Sequence, residues 1–152
     1  MTWVGSIMVT SMQVNQKSFG LEDSAGNLLP HFVTVLNLTP PDVELVKHGW
    51  ERVLRARLED ARFFWHEDLK NSFDKWLEEL EHVVFIRGLG TMGDKTRRLE
   101  KLCRAIAEKC DPAVADNAAR AGRLSKADLV TNMVGEFDTL QGVMGGSYAK
   151  RM

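Results

Sequence analysis

The chain has 152 residues, of which 44% are hydrophobic and 27% charged, and its net charge is -1. This composition is typical of a globular protein and excludes a uniformly basic nucleic-acid binder, so any contact with nucleic acid must rest on local patches. No apolar run approaches the roughly 20 residues that span a bilayer, and the first basic residue is Lys17, which leaves no charged start for a signal peptide. We therefore expect a cytoplasmic protein without membrane contact.

The first 40 residues have the composition of a β-hairpin. Ile7 to Phe19 and Leu28 to Asn37 are rich in Val, Phe, Thr and Met, and the intervening GLEDSAGN supplies turn-forming residues. This pattern predicts two antiparallel strands joined by a loop. Because a lone hairpin is only marginally stable, we expect it to pair with further strands or to lie on helices.

After Pro40 and Pro41 the hydrophobic period changes from 2 to 3.6, which predicts a domain boundary, with residues 1–40 before it and 41–152 after it. A helix over 43–69 is expected, interrupted at most at Gly49. Thr39 is expected to cap it, with Pro40 as its first residue and Asp42 completing a capping box. The predicted buried face consists of Leu54, Leu58, Ala61 and Trp65.

Several helices are predicted in the rest of the chain. Ser72 to Leu80 is read as a short helix with Trp76 and Leu77 pointing inward. The helix over 96–110 is expected to bury Leu99, Leu102, Cys103, Ile106 and Cys110.

Further helix starts are predicted towards the C terminus. Asp111 followed by Pro112 predicts a capped start, and Ser125 with Asp128 forms a second capping pattern ahead of Leu129. The helix after Pro112 is expected to bury a stripe of Val114, Ala118 and Ala121.

The segment RGLGTMGDKTRR (Arg87 to Arg98) carries a possible phosphate-binding motif. Its glycines fit G-x-G-x-x-G, and they lie between the apolar run HVVFI and a helical pattern, as in a dinucleotide fingerprint. However, Asp94 stands where a P-loop needs Lys, and another helix start follows where a dinucleotide fold needs a strand. The better interpretation is a turn out of the strand, with Thr91 or Asp94 capping the next helix.

Metal and disulfide chemistry find little support. The four histidines are scattered and none is followed by Asp, so a metal-dependent His-Asp site is not encoded. Cys103 and Cys110 are seven apart in one predicted helix, which places their Cα atoms about 10 Å apart, too far for a disulfide. We expect both cysteines to be reduced and buried.

Basic residues cluster in three groups. Between Arg87 and Arg104 the sequence contains six Lys or Arg and two acidic residues, a local excess of four positive charges. A second group lies on the long predicted helix, and a third near residues 120–126. Together they could track phosphates, and the candidate contacts are Arg87, Lys95, Arg97, Arg98, Lys101, Arg104, Arg52, Arg55 and Lys126.

Several long blocks resemble one family in order and spacing. ERVLRARLEDARFFWHEDLK, VVFIRGLGTMGDKTRR and RAGRLSKADLVTNMVGEFDTLQGVMGGSYA, preceded by MQVNQKSF and GNLLPHFVTVLN, are similar to successive blocks of the bacterial glycyl-tRNA synthetase β subunit. The resemblance covers about residues 10–148.

The resemblance implies a fold and a role. The fold class is α+β: a short N-terminal antiparallel β-hairpin ending a β-rich domain (1–40), then a mostly α-helical HD-like bundle (41–152) that lacks metal ligands and is incomplete at its C terminus. The implied role is a noncatalytic, tRNA-contacting fragment of a tetrameric synthetase. Its implied partners are the α subunit, tRNA(Gly) and the rest of the β subunit. No catalytic residue and no cofactor are expected in this chain, since ATP and Mg²⁺ are used by the α subunit.

Two other interpretations stay open. One is a small nucleotide-binding enzyme that uses the Gly88 to Gly93 loop, with ATP or NAD binding that Gly90→Asp would abolish. The other is a structural interaction module whose apolar faces meet the rest of the β chain or the α subunit.

Overall fold

The computed structural model describes Gly5, Val9 and residues 11–15 and 17–152. The chain divides into two compact units, Met1–His66 and Glu67–Met152. The domain boundary predicted near residue 40 stays a prediction.

The first unit contains a two-stranded antiparallel sheet. Strand β1 (Ser18–Glu22) pairs with β2 (Leu28–Thr34), and Ser18 lies opposite Thr34 at the open end. In the connecting loop the carboxylate of Asp23 accepts hydrogen bonds from the amides of Ala25 (2.9 Å) and Asn27 (2.8 Å). The predicted hairpin is therefore confirmed, and its turn residues act as their types suggested.

Both strands are shorter than predicted, and β1 is also displaced: it shares only Ser18 and Phe19 with the predicted strand and extends to Glu22, into the predicted loop. Ser11–Asn15, predicted as strand, form one π-helical turn, and Lys17 adopts φ +50° between that turn and β1. The left-handed backbone at Lys17 breaks the extended run, and among the described residues the pairing of β2 ends at Thr34. Residues 7, 8, 10 and 16 of the predicted strand lie outside the described residues.

Helix α1 (Val43–Asp68) runs without interruption through Gly49. Its predicted face is confirmed, since Ala61 and Trp65 are buried and Leu54 and Leu58 half-buried. The predicted start near Val43 is confirmed, but the prediction of Thr39 as the cap and Pro40 as the first residue is wrong. The cap is Asp42, whose carboxylate accepts a hydrogen bond from the amide of Leu45 (2.9 Å). Pro40 does not begin the helix because it precedes Pro41, and the residue before a proline disfavours helical backbone.

The second unit is helical apart from one small hairpin. Helix α2 (Phe73–Glu79) is capped by Ser72 and buries Trp76, as predicted, while Leu77 is half-buried. A short turn then leads to the β3–β4 hairpin, and helices α3 to α6 follow. Their bounds are β3 Val84–Ile86, β4 Gly90–Thr91, α3 Met92–Cys110, α4 Ala115–Leu124, α5 Asn132–Glu136 and α6 Val143–Arg151.

Helices α3 and α4 approach each other through small residues. A Cβ added to Gly122 would lie 2.8 Å from the carbonyl oxygen of Leu99 and 2.9 Å from the Cys103 sulfur. Only glycine permits this backbone distance, and Ala107 on α3 and Ala119 on α4 are buried beside it. Helices α3 and α4 can therefore come this close because Gly122 has no side chain.

This packing overturns two predicted faces. On α3, the predicted Leu99 and Cys103 are half-buried against Gly122, but Leu102, Ile106 and Cys110 are exposed. The buried residues of this helix are Met92, Gly93, Thr96 and Ala107. On α4 the buried stripe is Ala115, Ala119 and Gly122 instead of Val114, Ala118 and Ala121, a shift of one residue. Close contact selects the small face of each helix, so the larger aliphatic side chains of α3 remain outside.

The helix starts after α3 differ in detail from the predictions. Asp111 caps the turn at Pro112 as predicted, its carboxylate accepting from the amide of Ala113 (3.1 Å). Ser125 does not cap a helix, since its hydroxyl donates to the carbonyl of Gly122 (2.9 Å). Thr131 caps α5 in its place.

Two buried carboxylates hold the C-terminal segments of this unit. Asp68, fully buried at the end of α1, accepts from the backbone and side-chain nitrogens of Asn132 (both 2.9 Å), the amide of Met133 (3.0 Å) and the hydroxyl of Tyr148 (2.7 Å). Asp128 accepts from the amides of Gly142 and Gly145 at the start of α6. All of these donors are neutral groups, and their hydrogen bonds satisfy the two buried carboxylates.

Candidate nucleic-acid interface

The glycine segment forms the turn between β3 and β4 and the start of α3. Gly88 (φ +86°) and Gly90 (φ +88°) adopt left-handed backbone that a side chain would strain. The amide of Leu89 donates to the carbonyl of Ile86 (2.9 Å) and closes the turn. The glycines are thus explained by the turn.

Three amides at the start of α3 have partners within the protein. The Asp94 amide donates to the Thr91 hydroxyl (3.1 Å), and the Thr91 amide donates to the Asp94 carboxylate (2.9 Å). Thr91 is therefore the cap, one of the two residues predicted for that role, and Asp94 completes a capping box. The Met92 amide donates to the carbonyl of Val83 (2.7 Å). A Cβ on Gly90 would lie only 2.2 Å from Asp94 Oδ2. The carboxylate of Asp94 therefore lies at the start of α3, where its negative charge would repel a phosphate.

Arg97 is held by two acids. Its guanidinium donates to both carboxylate oxygens of Glu81, one at 2.9 Å, and to Asp94 Oδ1 at 2.7 Å. The hydrogen bond from Arg97 is the main cause that lowers the pKa of Glu81. The Thr91 amide, followed by Arg97, lowers the pKa of Asp94 from 3.8 to about 2. This fork-shaped contact fixes Arg97 against the loop.

Two further cations of the predicted set have protein partners. Arg104 Nη1 lies 2.7 Å from Asp116 Oδ1, which links α3 to α4 at the surface. Lys95 Nζ lies 3.8 Å from the centroid of the Phe85 ring, in cation-π geometry. Their charges are present at the surface, but their side chains are positioned by these contacts.

Three cations of the β3–β4 hairpin and α3 are exposed and have no partner among the described residues. Arg87 follows β3, and Arg98 and Lys101 lie three apart on α3, so the two helical residues project from neighbouring positions. Within the part of the chain that the structure describes, none of these three side chains makes an ion pair or a hydrogen bond to another residue. They are the best candidates for contact with an external anion.

The remaining predicted contacts lie elsewhere. Arg52 and Arg55 are exposed on α1 in the first unit, and Arg55 lines an apolar groove of about 430 Å³ between β2 and α1. Lys126 is half-buried after α4. The neighbouring Arg123 is structural, since it donates to Thr96 Oγ1 (2.8 Å) and to the carbonyl of Gly93 (3.3 Å).

The sequence matches the family described as glycyl-tRNA synthetase beta subunit over residues 5–152. The chain belongs to this family. Relatives named glycine-tRNA ligase beta subunit are 68% identical over 146 residues in Nitratidesulfovibrio vulgaris (strain Miyazaki F) and 58% identical over 144 residues in Lawsonia intracellularis. These matches cover 96% and 95% of this chain but 21% of each relative, so the chain spans about a fifth of their length.

Membership of this family confirms the resemblance seen in the sequence blocks, and the hairpin followed by helices confirms the α+β class. The HD-like topology stays a prediction. Among the described residues, no three His, Cys, Asp or Glu side chains are grouped as a metal ion requires. In the same ranges no helix has the length and apolarity to cross a membrane.

Sequence reasoning missed the partners of the cations. Glu81 lies sixteen residues from Arg97 along the chain, and Asp116 twelve from Arg104. Neither separation is a helical i, i+3 or i, i+4 spacing, so no local pattern indicated the pairs. The prediction for the cysteines is confirmed in part: both thiols are free as predicted, but Cys110 is exposed and Cys103 is half-buried.

The capping box makes the loop sensitive to acid. Because the pKa of Asp94 in the folded chain (about 2) is below its ordinary value of 3.8, its contacts stabilise the fold above about pH 4 and are lost as the pH falls towards 2. We expect the wild-type melting temperature to fall across this window, and the Asp94→Asn variant to start lower and fall less. Circular dichroism melts between pH 2 and 7 measure the difference.

The control is Glu78→Gln, which alters an exposed carboxylate on α2 and should keep the wild-type acid response. An Asp94→Asn profile parallel to that of wild type would show that the capping box does not contribute to the pH dependence.

Proposed function

We propose that this chain is a noncatalytic, tRNA-contacting part of a glycyl-tRNA synthetase β subunit. In this role it supports the ATP-dependent glycylation of tRNA(Gly) in the cytoplasm together with an α subunit, which uses ATP and Mg²⁺, and with the rest of the β subunit. The observation that carries the proposal is the exposed cation set Arg87, Arg98 and Lys101, in a chain of this family.

The proposal favours RNA because of the chemistry of these three groups. Each is a long, solvated cation without an acid partner in the described residues, so it can approach a phosphate without breaking an existing ion pair. Phosphate contacts need only such charges and tolerate a near-neutral protein, since the binding force is local counterion release. Arg97 and Arg104 remain in the predicted set, but binding through them would compete with Glu81 and Asp116.

Replacing Arg87, Arg98 and Lys101 together with Ala is expected to weaken tRNA binding about tenfold or more near 0.1 M salt. The slope of log K against log salt should fall by about 2 to 3, since each lost phosphate contact removes nearly one unit. Filter retention or fluorescence anisotropy with tRNA over a salt series measures both quantities.

The matched control replaces three other exposed cations, Arg62, Lys150 and Arg151, with Ala, which removes the same charge. We expect the control to keep most of the wild-type slope. Equal losses in both variants would mean that only net charge matters, and an unchanged slope in the first variant would overturn the assignment of these residues.

The noncatalytic part of the proposal has its own test. The purified chain is expected to show no glycine-dependent exchange of pyrophosphate into ATP, because no residue set for adenylate formation is predicted in it. Exchange above the level of an inactive protein would contradict this part and leave the tRNA contact to be judged separately.

A further inference from the structure

Helix α3 carries a second apolar face that no described residue covers. Leu102 (56% exposed), Ile106 (54% exposed) and Cys110 lie four residues apart and form one row along the helix. We call these three residues the α3 row. The neighbouring side of α3, which includes Leu99 and Cys103, packs against Gly122 of α4. Water-facing Leu and Ile one turn apart, on a helix that is already packed elsewhere, indicate a missing neighbour.

The geometry points to an intramolecular docking site: the α3 row binds an amphipathic helix from the part of the full-length β-subunit polypeptide outside these 152 residues. The relatives are about five times longer than the match, so most of their chain is available to cover the row. This inference goes beyond the proposed contact with tRNA and rests only on the family and on the exposed row.

The size of the row argues against a separate protein. A specific interface between two proteins needs about 800 Å² and 20 to 30 residues on each side. Three side chains, with Val114 exposed in the next turn, are far fewer. A segment of the same polypeptide is present at high effective concentration and therefore needs much less surface to bind.

Charge argues against a second copy of the chain. Helix α3 has six basic residues and three acidic ones, so two α3 helices brought together would repel. The same excess predicts the character of the occupant. It should present aliphatic residues three or four apart, with acidic residues beside them to meet Lys109, which is exposed one turn after Ile106.

The test uses a chimera in which this chain replaces the matching fifth of the β subunit that is 68% identical to it. Labelling of Cys110 by a maleimide, followed by mass spectrometry, is expected to be about tenfold or more slower in the chimera than in the 152-residue chain, because a covered thiol reacts only through local opening. Equal labelling rates would overturn the inference. Slowing that depends on concentration in the 152-residue chain would instead assign the row to a second copy.

A pair of variants tests the row itself. Leu102→Glu with Ile106→Glu should restore fast Cys110 labelling in the chimera and lower its melting temperature, while changing the melting temperature of the 152-residue chain little. The control, Ala105→Glu with Ala113→Glu, adds the same charge at exposed alanines and should leave labelling slow. Fast labelling in both would refute a specific row. Binding of tRNA, measured in parallel with the Arg87, Arg98 and Lys101 variant, separates failure here from failure of the proposed function.

Discussion

Replacing Asp68 with Ala is expected to lower the free energy of unfolding by about 3 to 5 kcal/mol, because it leaves several buried donors unpaired at about 1 to 3 kcal/mol each. The four donors are the backbone and side-chain nitrogens of Asn132, the amide of Met133 and the hydroxyl of Tyr148, all within 3.0 Å of the carboxylate. Burial, followed by the hydrogen bond to Asp68, raises the pKa of Tyr148, so this hydroxyl stays protonated and donating.

Equilibrium urea unfolding measures the loss, provided that the slope with denaturant is unchanged. Two variants separate the causes. Asp68→Asn keeps the shape but turns an NH₂ group towards donors, and we expect it to cost about 1 to 3 kcal/mol. Tyr148→Phe removes one donor and leaves three on the carboxylate, so its cost should be below that of Asp68→Ala. An Asp68→Ala variant as stable as wild type would show that water replaces the carboxylate.

Replacing Trp76 with Ala is expected to cost about 3 to 5 kcal/mol, as is usual for a fully buried aromatic side chain. Trp76 is 1% exposed, and its ring lies 5.0 Å from the Phe73 centroid in an edge-to-face pair and 5.2 Å from that of Tyr148. Truncation would open a cavity and remove both ring contacts. The same urea experiment gives the magnitude.

The conservative variant Trp76→Phe should cost less, about 1 to 2 kcal/mol, since a smaller ring keeps part of the packing. The control Leu89→Ala alters an exposed residue of the β3–β4 turn and is expected to change stability by no more than about 0.5 kcal/mol. A Trp76→Ala variant close to this control would place Trp76 outside the cooperative core.

Local patterns predicted the parts of the fold that depend on local physics. The face of α1 with Ala61 and Trp65 and a cap at Thr91 were confirmed, because periodicity and capping involve residues within one or two turns. The β1–β2 hairpin was predicted, but its length was not, since the left-handed backbone of Lys17 has no signature in the residue type.

The predicted face of α4 and three of the five residues predicted for α3 were wrong because tertiary packing overrode hydrophobicity. Leu102 and Ile106 have the stronger apolar signal, yet the fit around Gly122 selects the alanine and glycine side of each helix. The candidate nucleic-acid interface likewise depends on tertiary contacts that local sequence patterns do not show. The cations were identified from the sequence, but only the fold distinguishes the paired Arg97 from the unpaired Arg98.

The position of Asp68 also has a consequence for the order of events during synthesis. Its hydrogen-bond donors lie 64, 65 and 80 residues further along the chain. When α1 leaves the ribosome, the carboxylate at its end is still hydrated, and its full set of donors exists only after Tyr148 has been translated. Loops of this length close slowly, so the cluster around Asp68 completes late in folding. A nascent chain that stalls before Tyr148 would lack this buried contact and would expose the apolar side chains of the C-terminal helices to chaperones and proteases.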